Sequence, residues 1–195
     1  AELLEVEDEL CPLFPTEGAR GVVKSLVESA AFAGRYVSPN QYESELNVEA
    51  HYRTTGPEIW KQTNGEVDMF FAGIGTGGTI SGVGRFLKEQ NPNIRIIGVE
   101  PATRHHSLSG LKRITGLPDE HFPTILDRDL LDDLISVTDE EAYKAGIEVA
   151  RKDGVMVGPT TGAVLHAALH SHLPKSGKAV LISADNSAKY ISAYA

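Results

Sequence analysis

A dense run of glycine and threonine residues follows an apolar stretch, and residues of these types can bind an anion. The segment FFAGIGTGGTISGVGRF, residues 70–86, begins with a short apolar run that is typical of a strand buried in a parallel sheet. Beyond the glycines, Ile80, Val83 and Leu87 recur at helical spacing. The pattern therefore predicts a strand, a tight turn and a helix. Because the first N–H groups of a helix lack intrahelical partners, such a turn is a candidate phosphate site.

Two kinds of phosphate ligand fit this turn. A GxGxxG pattern that begins at Gly73 is typical of dinucleotide-binding folds, and Glu100 ends the next apolar run near the distance expected for a ribose-binding acid. The alternative takes residues 75–79, GTGGT, as a cup for one phosphate monoester, with threonine hydroxyls beside the backbone donors. Pro101, directly after Glu100, stiffens the place where a ribose would lie. Spacing alone leaves both ligands open.

A second turn repeats the form of the first. Residues 158–162, GPTTG, follow a short predicted strand and open an apolar helix. Ligands of open α/β sheets gather outside the carboxyl ends of the strands, so we expect both turns to face one crevice. Pyridoxal phosphate, with a phosphate at one end and a weakly basic ring nitrogen at the other, would use both turns, and a hydroxyl at that nitrogen suits β-elimination and replacement. Alternatively, Thr160 and Thr161 only cap the helix.

Composition and charge narrow the function classes. The chain has 195 residues and a formal net charge of −9, which argues against nucleic acid or an anionic membrane as the main partner because binding phosphates needs clustered Lys and Arg. Cys11 is the single cysteine and has no metal-type spacing around it, so we expect no disulfide within the chain, no metal and a reducing cytoplasm. No stretch of the sequence is long and apolar enough to predict a membrane span.

Strand and helix patterns alternate along the chain. They predict an α/β fold, an open, mostly parallel twisted sheet with helices on both faces. Strands are predicted at residues 3–6, 35–38, 69–72, 94–99, 155–157 and 178–183. Helices are predicted at 18–32, at 47–63 with a break at Gly56-Pro57, after the first turn, at 139–151 behind a capping box that begins at Thr138, and at 163–172. Residues 102–134 are expected to be irregular, and three histidines in helical patterns are expected to be structural: His51, His166 and His170.

Longer motifs resemble a known family. HYRTTGPEIW and GIGTGGTISG are similar to segments of the cysteine synthase family of fold-type II pyridoxal-phosphate enzymes, and VGPTTGAVLHAALH with AKYISAYA resembles members that use O-phosphoserine. The resemblance runs from about Ala1 to the last residue. It implies pyridoxal 5'-phosphate as cofactor, cysteine formation from O-phosphoserine or O-acetylserine and a sulfur donor, and a homodimer. The alternatives are an NAD-binding oxidoreductase domain and a non-catalytic regulatory module.

The resemblance also implies roles for individual residues. The cofactor's phosphate loop corresponds to Gly75, Thr76, Gly77, Gly78 and Thr79. Thr160 corresponds to the residue that faces the ring nitrogen, and Thr161 takes that place if the match slips by one position. Gln41 corresponds to a contact of the substrate carboxylate, and Arg113, in SGLKRITG, to an arginine that holds the substrate phosphate. Asp185 begins a segment that departs from the family pattern, so it receives no role.

The family's catalytic lysine has no counterpart in this sequence. Family members carry the Schiff-base lysine upstream, in a motif of the type NPSGSxKDR, and this sequence contains no such motif. We therefore assign no catalytic residue and expect the chain alone to be inactive. The opening AELLEVEDEL resembles the last strand of the family's smaller domain. We expect a remnant of that domain at residues 1–34 and the large cofactor-binding domain at residues 35–195.

Overall fold

A computed structural model describes residues 18–29, 31 and 33–191. The chain divides into a smaller unit, residues 1–40 with 117–122, and a larger unit, residues 41–116 with 123–195. The strand predicted at residues 3–6 and Cys11 lie outside the described residues. The domain boundary after residue 34 stays a prediction.

The elements of the two units follow the alternation of the sequence. The smaller unit contains α1 (Gly18–Glu28) and a 3₁₀ turn (Asp119–His121). The helices of the larger unit are α2 (Glu45–Arg53), α3 (Thr55–Gln62), α4 (Gly78–Gln90), α5 (Asp139–Asp153) and α6 (Pro159–Leu169), with 3₁₀ turns at Arg128–Leu130 and Ser187–Lys189. Its strands are β1 (Met69–Gly73), β2 (Arg95–Pro101), β3 (Asp133–Val137) and β4 (Ala179–Leu181). Within the described parts of the chain, no helix has the length and apolar character needed to cross a bilayer.

The four strands found among the described residues of the larger unit form one parallel sheet in the order β3-β2-β1-β4. Because all strands run the same way, their carboxyl ends share one edge of the sheet. β1 has β2 on one side and β4 on the other, so the order of the strands reverses between β1 and β4. Ligands of open α/β sheets bind outside the carboxyl ends at such a switch point.

Helices pack on both faces of this sheet because side chains alternate along each strand. Phe71 and Ile97 belong to a buried cluster with Ala163 and Ala167 of α6. On the other face, Ile96 packs close to Gly84 of α4. Each fully buried side chain of this size contributes roughly 1.5–3 kcal/mol. The predicted fold class is therefore confirmed.

Several predicted elements differ in detail from the structure. Residues 35–38 form no strand, and Val37 is 90% exposed, so burial does not favour an extended strand there. Residues 155–157 reach only an isolated bridge, between Val157 and Asn186. β3 lies at the end of the segment predicted to be irregular, where β2 supplies a partner that local patterns do not reveal. The break between α2 and α3 falls at Thr54, two residues before the predicted break at Gly56-Pro57.

The capping box predicted before α5 is present. The Thr138 hydroxyl accepts a hydrogen bond from the N–H of Glu141, and the Glu141 carboxylate accepts one from the N–H of Thr138. Gly154 ends the helix in the left-handed conformation, with φ of +70°. These caps define the two ends of α5. Ala142 of α5 packs against Gly162 of α6, the helix that begins within the second turn.

Candidate functional site

The first turn, residues 75–79, requires glycine for two separate reasons. Gly77 has φ of +91°, a left-handed conformation that side chains with a β-carbon rarely adopt. A β-carbon at Gly75 would clash with the carbonyl oxygen of Gly110. Backbone geometry at Gly77 and close approach at Gly75 therefore explain two glycines of the pattern.

Backbone donors of this turn are available to a ligand. Within the described residues, the N–H groups of Thr76, Gly77 and Thr79 have no hydrogen-bond acceptor. The first turn of α4 contains no acidic residue, so nothing in the helix itself neutralises the positive end of its dipole. The side chains of Thr76 and Thr79 are partly exposed. Amides and hydroxyls together fit a phosphate dianion.

Asn47 of α2 joins the first turn to the segment before α2. Its Nδ2 donates to the carbonyl oxygen of Gln41 at 2.7 Å and to Oγ1 of Thr76 at 3.3 Å. The same Oγ1 accepts a hydrogen bond from the N–H of Gly78 at 3.3 Å. The exposed Gln41, which we expect to contact the substrate carboxylate, is therefore tied to the turn through its backbone. The role of its side chain stays a prediction.

His51 of α2 supports the other threonine of the turn. Its Nε2 lies 3.1 Å from Oγ1 of Thr79, and its Nδ1 lies 2.9 Å from Oγ1 of Thr55. Burial lowers the pKa of His51 below its ordinary value, so the neutral imidazole is favoured. The histidine therefore holds a hydroxyl in place without bringing a fixed positive charge to the turn.

The second turn, residues 158–162, already holds a carboxylate. Asp185, which follows β4, accepts hydrogen bonds from the N–H of Thr160 at 2.9 Å and from the N–H of Thr161 at 2.8 Å. The Thr161 hydroxyl also donates to Asp185, at 2.6 Å. This carboxylate neutralises the start of α6, so the second turn does not offer a second phosphate site. It also engages the Thr161 hydroxyl in capping. The Thr160 hydroxyl donates to the carbonyl oxygen of Ser109 instead, so a bond from it to a ring nitrogen requires its proton to turn away from Ser109. The role of Thr160 at the ring nitrogen stays a prediction.

A short piece of backbone lies between the two turns. We call residues 107–115 the connecting segment. The Thr160 hydroxyl donates to the carbonyl oxygen of Ser109 at 2.7 Å. The next residue, Gly110, directs its carbonyl oxygen at the backbone of Gly75. Both turns therefore border the same segment at the carboxyl edge of the sheet.

The connecting segment is fixed near both of its ends. Asp139, the first residue of α5, accepts hydrogen bonds from the N–H of Ser107 at 2.7 Å and from its hydroxyl at 2.6 Å. Glu100, near the end of β2, accepts hydrogen bonds from the N–H groups of Ile114 and Thr115 at 2.7 and 3.0 Å. Carboxylates at both ends hold this loop and fix the spacing between the turns.

Glu100 does not suit the ribose role that a dinucleotide fold would give it. Its side chain is fully buried, and besides the two N–H groups it accepts a hydrogen bond from the hydroxyl of Ser136 at 3.0 Å. A carboxylate that is enclosed and satisfied by the protein has no free oxygen for a ribose hydroxyl. The geometry therefore disfavours the NAD alternative.

The arginine predicted to hold the substrate phosphate lies on the connecting segment. The Arg113 guanidinium is half-buried and donates from Nη1 to the carbonyl oxygen of Ala102, just after β2. This contact ties the guanidinium to the residue that follows β2. Binding of a substrate phosphate would require the guanidinium to exchange that carbonyl for the ligand. The role of Arg113 stays a prediction.

Sequence patterns missed the residues that support the two turns from elsewhere in the fold. Asp185 and Asn47 contact the turns only because β4 and α2 bring them there. One signal was present for Asp185, since it follows a strand end at the edge where α6 begins and α6 has no acidic residue in its own first turn. In the described ranges, no three His, Cys, Asp or Glu residues are grouped closely enough to hold a metal ion.

Comparison with known proteins decides the family. Residues 1–185 match the family model described as "Pyridoxal-phosphate dependent enzyme". The chain belongs to this family. The resemblance found in the motifs is thereby confirmed. The family's cofactor fits a turn that offers threonine hydroxyls and amides without an acceptor among the described residues.

Curated relatives of this pyridoxal-phosphate family member include two cysteine synthases. The chain is 43% identical to that of Aquifex aeolicus (strain VF5) over 185 residues, which cover 92% of this chain and 55% of the relative. It is 34% identical to that of Staphylococcus aureus (strain Mu50 / ATCC 700699) over 183 residues, which cover 91% and 59%. A cystathionine beta-synthase of Apis mellifera is 38% identical over 80% of this chain and 32% of the relative. The chain thus spans less than two thirds of each of these relatives.

Two solved structures show the similarity of fold. A hydrogen sulfide-producing enzyme from Fusobacterium nucleatum superposes with a TM-score of 0.76 at 33% identity, over 87% of this chain and 60% of that one. An O-acetyl serine sulfhydrylase, isoform 3, from Entamoeba histolytica gives a TM-score of 0.78 at 27% identity, over 90% and 53%. Both agree with the parallel sheet and the helices described above.

Proposed function

We propose that this chain belongs to a transferase that makes cysteine by pyridoxal-phosphate-dependent β-replacement, from O-phosphoserine or O-acetylserine and a sulfur donor. The observation that carries the proposal is the position of the connecting segment. It borders the first turn, whose amides have no acceptor in the part of the chain that the structure describes, and on its other side the Thr160 hydroxyl. These two ends match a phosphate monoester joined to a pyridine ring. The similarity to cysteine synthases supports the reaction type.

In this proposal each turn binds one end of the cofactor. When bound, the cofactor supplies an electron-withdrawing ring that stabilises negative charge beside the amino group of the substrate. The amides of Gly77 and Thr79 and the hydroxyl of Thr76 hold the phosphate dianion. The Thr160 hydroxyl, which donates to Ser109 in the chain without cofactor, turns its proton to the ring nitrogen and meets it as a neutral partner. A neutral partner keeps the ring a mild electron sink, which suits loss of a group from the β-carbon.

Substrate recognition is assigned to two further residues. Gln41 binds the substrate carboxylate from the segment that Asn47 ties to the first turn. Arg113 holds the departing phosphate of O-phosphoserine, for which its planar guanidinium provides bidentate geometry. In a catalytically active preparation, Arg113→Ala should raise KM for O-phosphoserine about tenfold or more and leave KM for O-acetylserine nearly unchanged. Equal effects on both substrates would remove Arg113 from the proposal.

The remaining parts of the proposal concern the chain as a protein in the cell. We place it in the cytoplasm, because its single cysteine cannot form a disulfide within the chain. We also infer a homodimer from the family resemblance, with no role for nucleic acid or membrane. The Schiff-base lysine is inferred to come from outside the 195 residues, so that the chain alone binds the cofactor without turnover. Borohydride reduction after mixing with pyridoxal 5'-phosphate tests this, and stoichiometric labelling of one lysine contradicts it.

A binding comparison tests the proposed cofactor. The 195-residue chain is titrated with pyridoxine 5'-phosphate, which has the ring and phosphate but no reactive aldehyde, and separately with pyridoxine and with NAD. We expect saturable binding of pyridoxine 5'-phosphate and at least about tenfold weaker binding of pyridoxine, because the first turn contributes charge-assisted hydrogen bonds to phosphate. NAD binding equal to or tighter than that of pyridoxine 5'-phosphate would overturn the proposal.

A further inference from the structure

The two helix N-termini at the carboxyl edge of the sheet are not equivalent. α4 opens with amides that have no acceptor within the described residues, and neither α4 nor α6 has an acidic residue in its first turn. At α6, however, Asp185 supplies a carboxylate from beyond β4 and accepts from two of the first amides. One terminus is therefore open to an anion, and the other is closed by the protein's own carboxylate.

Asp185 is itself held firmly in this position. Its backbone carbonyl accepts a hydrogen bond from the N–H of Gly158 at 3.2 Å, and a bridge joins Asn186 to Val157. A β-carbon at Gly158 would clash with the Asp185 carboxylate, so this carboxylate can lie against the start of α6 only because residue 158 is glycine. The residues after β4 are thus fastened to the start of α6 by both backbone and side chain.

Thr160 is fixed at two points as a result. Its N–H donates to Asp185, and its hydroxyl donates to Ser109 on the connecting segment. The residue is 5% exposed, which leaves little freedom for another rotamer. Since the hydroxyl is the group proposed to meet the ring nitrogen, its placement depends on a residue that touches neither the phosphate nor the ring.

We propose that Asp185 is a positioning residue that holds Thr160 for the ring of the cofactor and keeps phosphate away from α6. The inference rests on the proposed function and deepens it, because it explains how the site distinguishes the two ends of one ligand. A dianion at the start of α6 would lie beside a carboxylate that already uses the amides, whereas the first amides of α4 have no acceptor among the described residues. The ligand therefore enters in one orientation.

The test measures separately how the protein binds the ring and the phosphate of the cofactor. Dissociation constants for pyridoxine 5'-phosphate and for inorganic phosphate are measured on the wild-type chain and on Asp185→Asn. An amide cannot accept with both of its heavy atoms, so we expect pyridoxine 5'-phosphate to bind about tenfold more weakly to the variant. Inorganic phosphate should bind to the first turn with an affinity within about twofold of wild type, because the two ends lie on separate turns.

Two matched variants complete the comparison. Thr76→Val removes a hydroxyl from the phosphate turn and should weaken both ligands. Asp132→Asn removes a carboxylate that also accepts from a backbone amide, that of Ile96 at 2.7 Å, but at the amino end of β2. It should change neither dissociation constant, although it lowers the stability of the fold.

A second measurement uses the wild-type chain and does not depend on whether Asp185→Asn folds. Addition of inorganic phosphate should shift the amide resonances of Gly77 and Thr79 and leave those of Thr160 and Thr161 in place. Phosphate-dependent shifts at Thr160 and Thr161 would overturn the inference, as would an Asp185→Asn variant that binds both ligands like wild type or loses both equally. Failure of the wild-type chain to bind pyridoxine 5'-phosphate contradicts the proposed function and, with it, this inference.

Discussion

The hydroxyl of Thr160 lies 2.7 Å from the carbonyl oxygen of Ser109, and the next residue, Gly110, directs its own carbonyl oxygen at Gly75. Two adjacent peptide groups of the connecting segment therefore contact the first turn and the second turn. Because acidic side chains pin the connecting segment near both of its ends, the distance between the turns is set by the fold and does not await a ligand. Preorganised spacing of this kind lowers the cost of ordering a site on binding.

Because the connecting segment lies against Gly75 of the first turn, Gly75→Ala should lower both stability and phosphate affinity. Gly75→Ala places a methyl group against the carbonyl oxygen of Gly110, where neither backbone can yield cheaply. We expect a loss of about 1–3 kcal/mol in the free energy of unfolding and a large loss of phosphate affinity. Urea unfolding and phosphate titration measure the two effects.

Gly116→Ala is the matched control for that substitution. Gly116 has φ of +76° with open space around its β-carbon position. The alanine there should cost about 1–2 kcal/mol from backbone strain alone and leave phosphate affinity unchanged. A Gly75→Ala protein that binds phosphate as well as the Gly116→Ala protein does would refute the close approach described here.

Removal of the Thr79 hydroxyl should weaken phosphate binding at the first turn. Thr79→Val keeps the shape of the side chain but removes the group that faces both His51 and the proposed phosphate. We expect about a tenfold rise in the dissociation constant for inorganic phosphate, as for a lost charge-assisted hydrogen bond. Thr63→Val, which removes a hydroxyl bonded to the carbonyl oxygen of Ile59 at the end of α3, serves as control and should bind phosphate normally. Equal affinities in the two variants would exclude Thr79 from the phosphate site.

Because Glu100 is a buried hydrogen-bond acceptor, Glu100→Ala and Glu100→Gln should lower the free energy of unfolding by different amounts. Glu100→Ala leaves the N–H groups of Ile114 and Thr115 without their buried acceptor and opens a cavity, so the free energy of unfolding should fall by about 3 kcal/mol or more. Glu100→Gln retains one oxygen for those two donors, and the Ser136 hydroxyl can turn to accept from the amide, so the loss should be about half as large. Denaturant unfolding of both variants measures this, and a reversed order would contradict the assignment of Glu100 as a structural acceptor.

Three half-buried histidines predict how stability depends on pH. Burial lowers the pKa of His51, His106 and His166 below the ordinary value of 6.5. As pH falls through 6.5, the unfolded chain binds protons that the folded protein takes up only at lower pH, so the free energy of unfolding decreases. Above about pH 7.5 all three are neutral in both states and contribute no slope.

Chemical denaturation between pH 5 and pH 8 tests this dependence at about half-unit steps. His51→Gln should flatten the slope between roughly pH 5 and 6.5, because one of the three groups no longer titrates. A wild-type stability that rises as the pH is lowered through this range would contradict the assigned direction of the three pKa values.

Sequence patterns predicted those parts of the fold that depend on residues close together in the chain. The apolar run of β1, the glycine turn and the capping box at Thr138 were all predicted, because each depends on residues close together in the chain. β3 was missed, since its strand character comes from pairing with β2. The support of the second turn was missed for a similar reason: Asp185 lies 25 residues from Thr160 and meets it only after β4 joins the sheet.

The central claim is that one ligand bridges the two turns, and a structure of the chain with pyridoxine 5'-phosphate tests it most directly. The account predicts phosphate oxygens within hydrogen-bond distance of the amides of Gly77 and Thr79, and the ring nitrogen of the same molecule at the Thr160 hydroxyl. A ligand whose phosphate lies at α6, or whose ring lies away from Thr160 while its phosphate lies at α4, would contradict it.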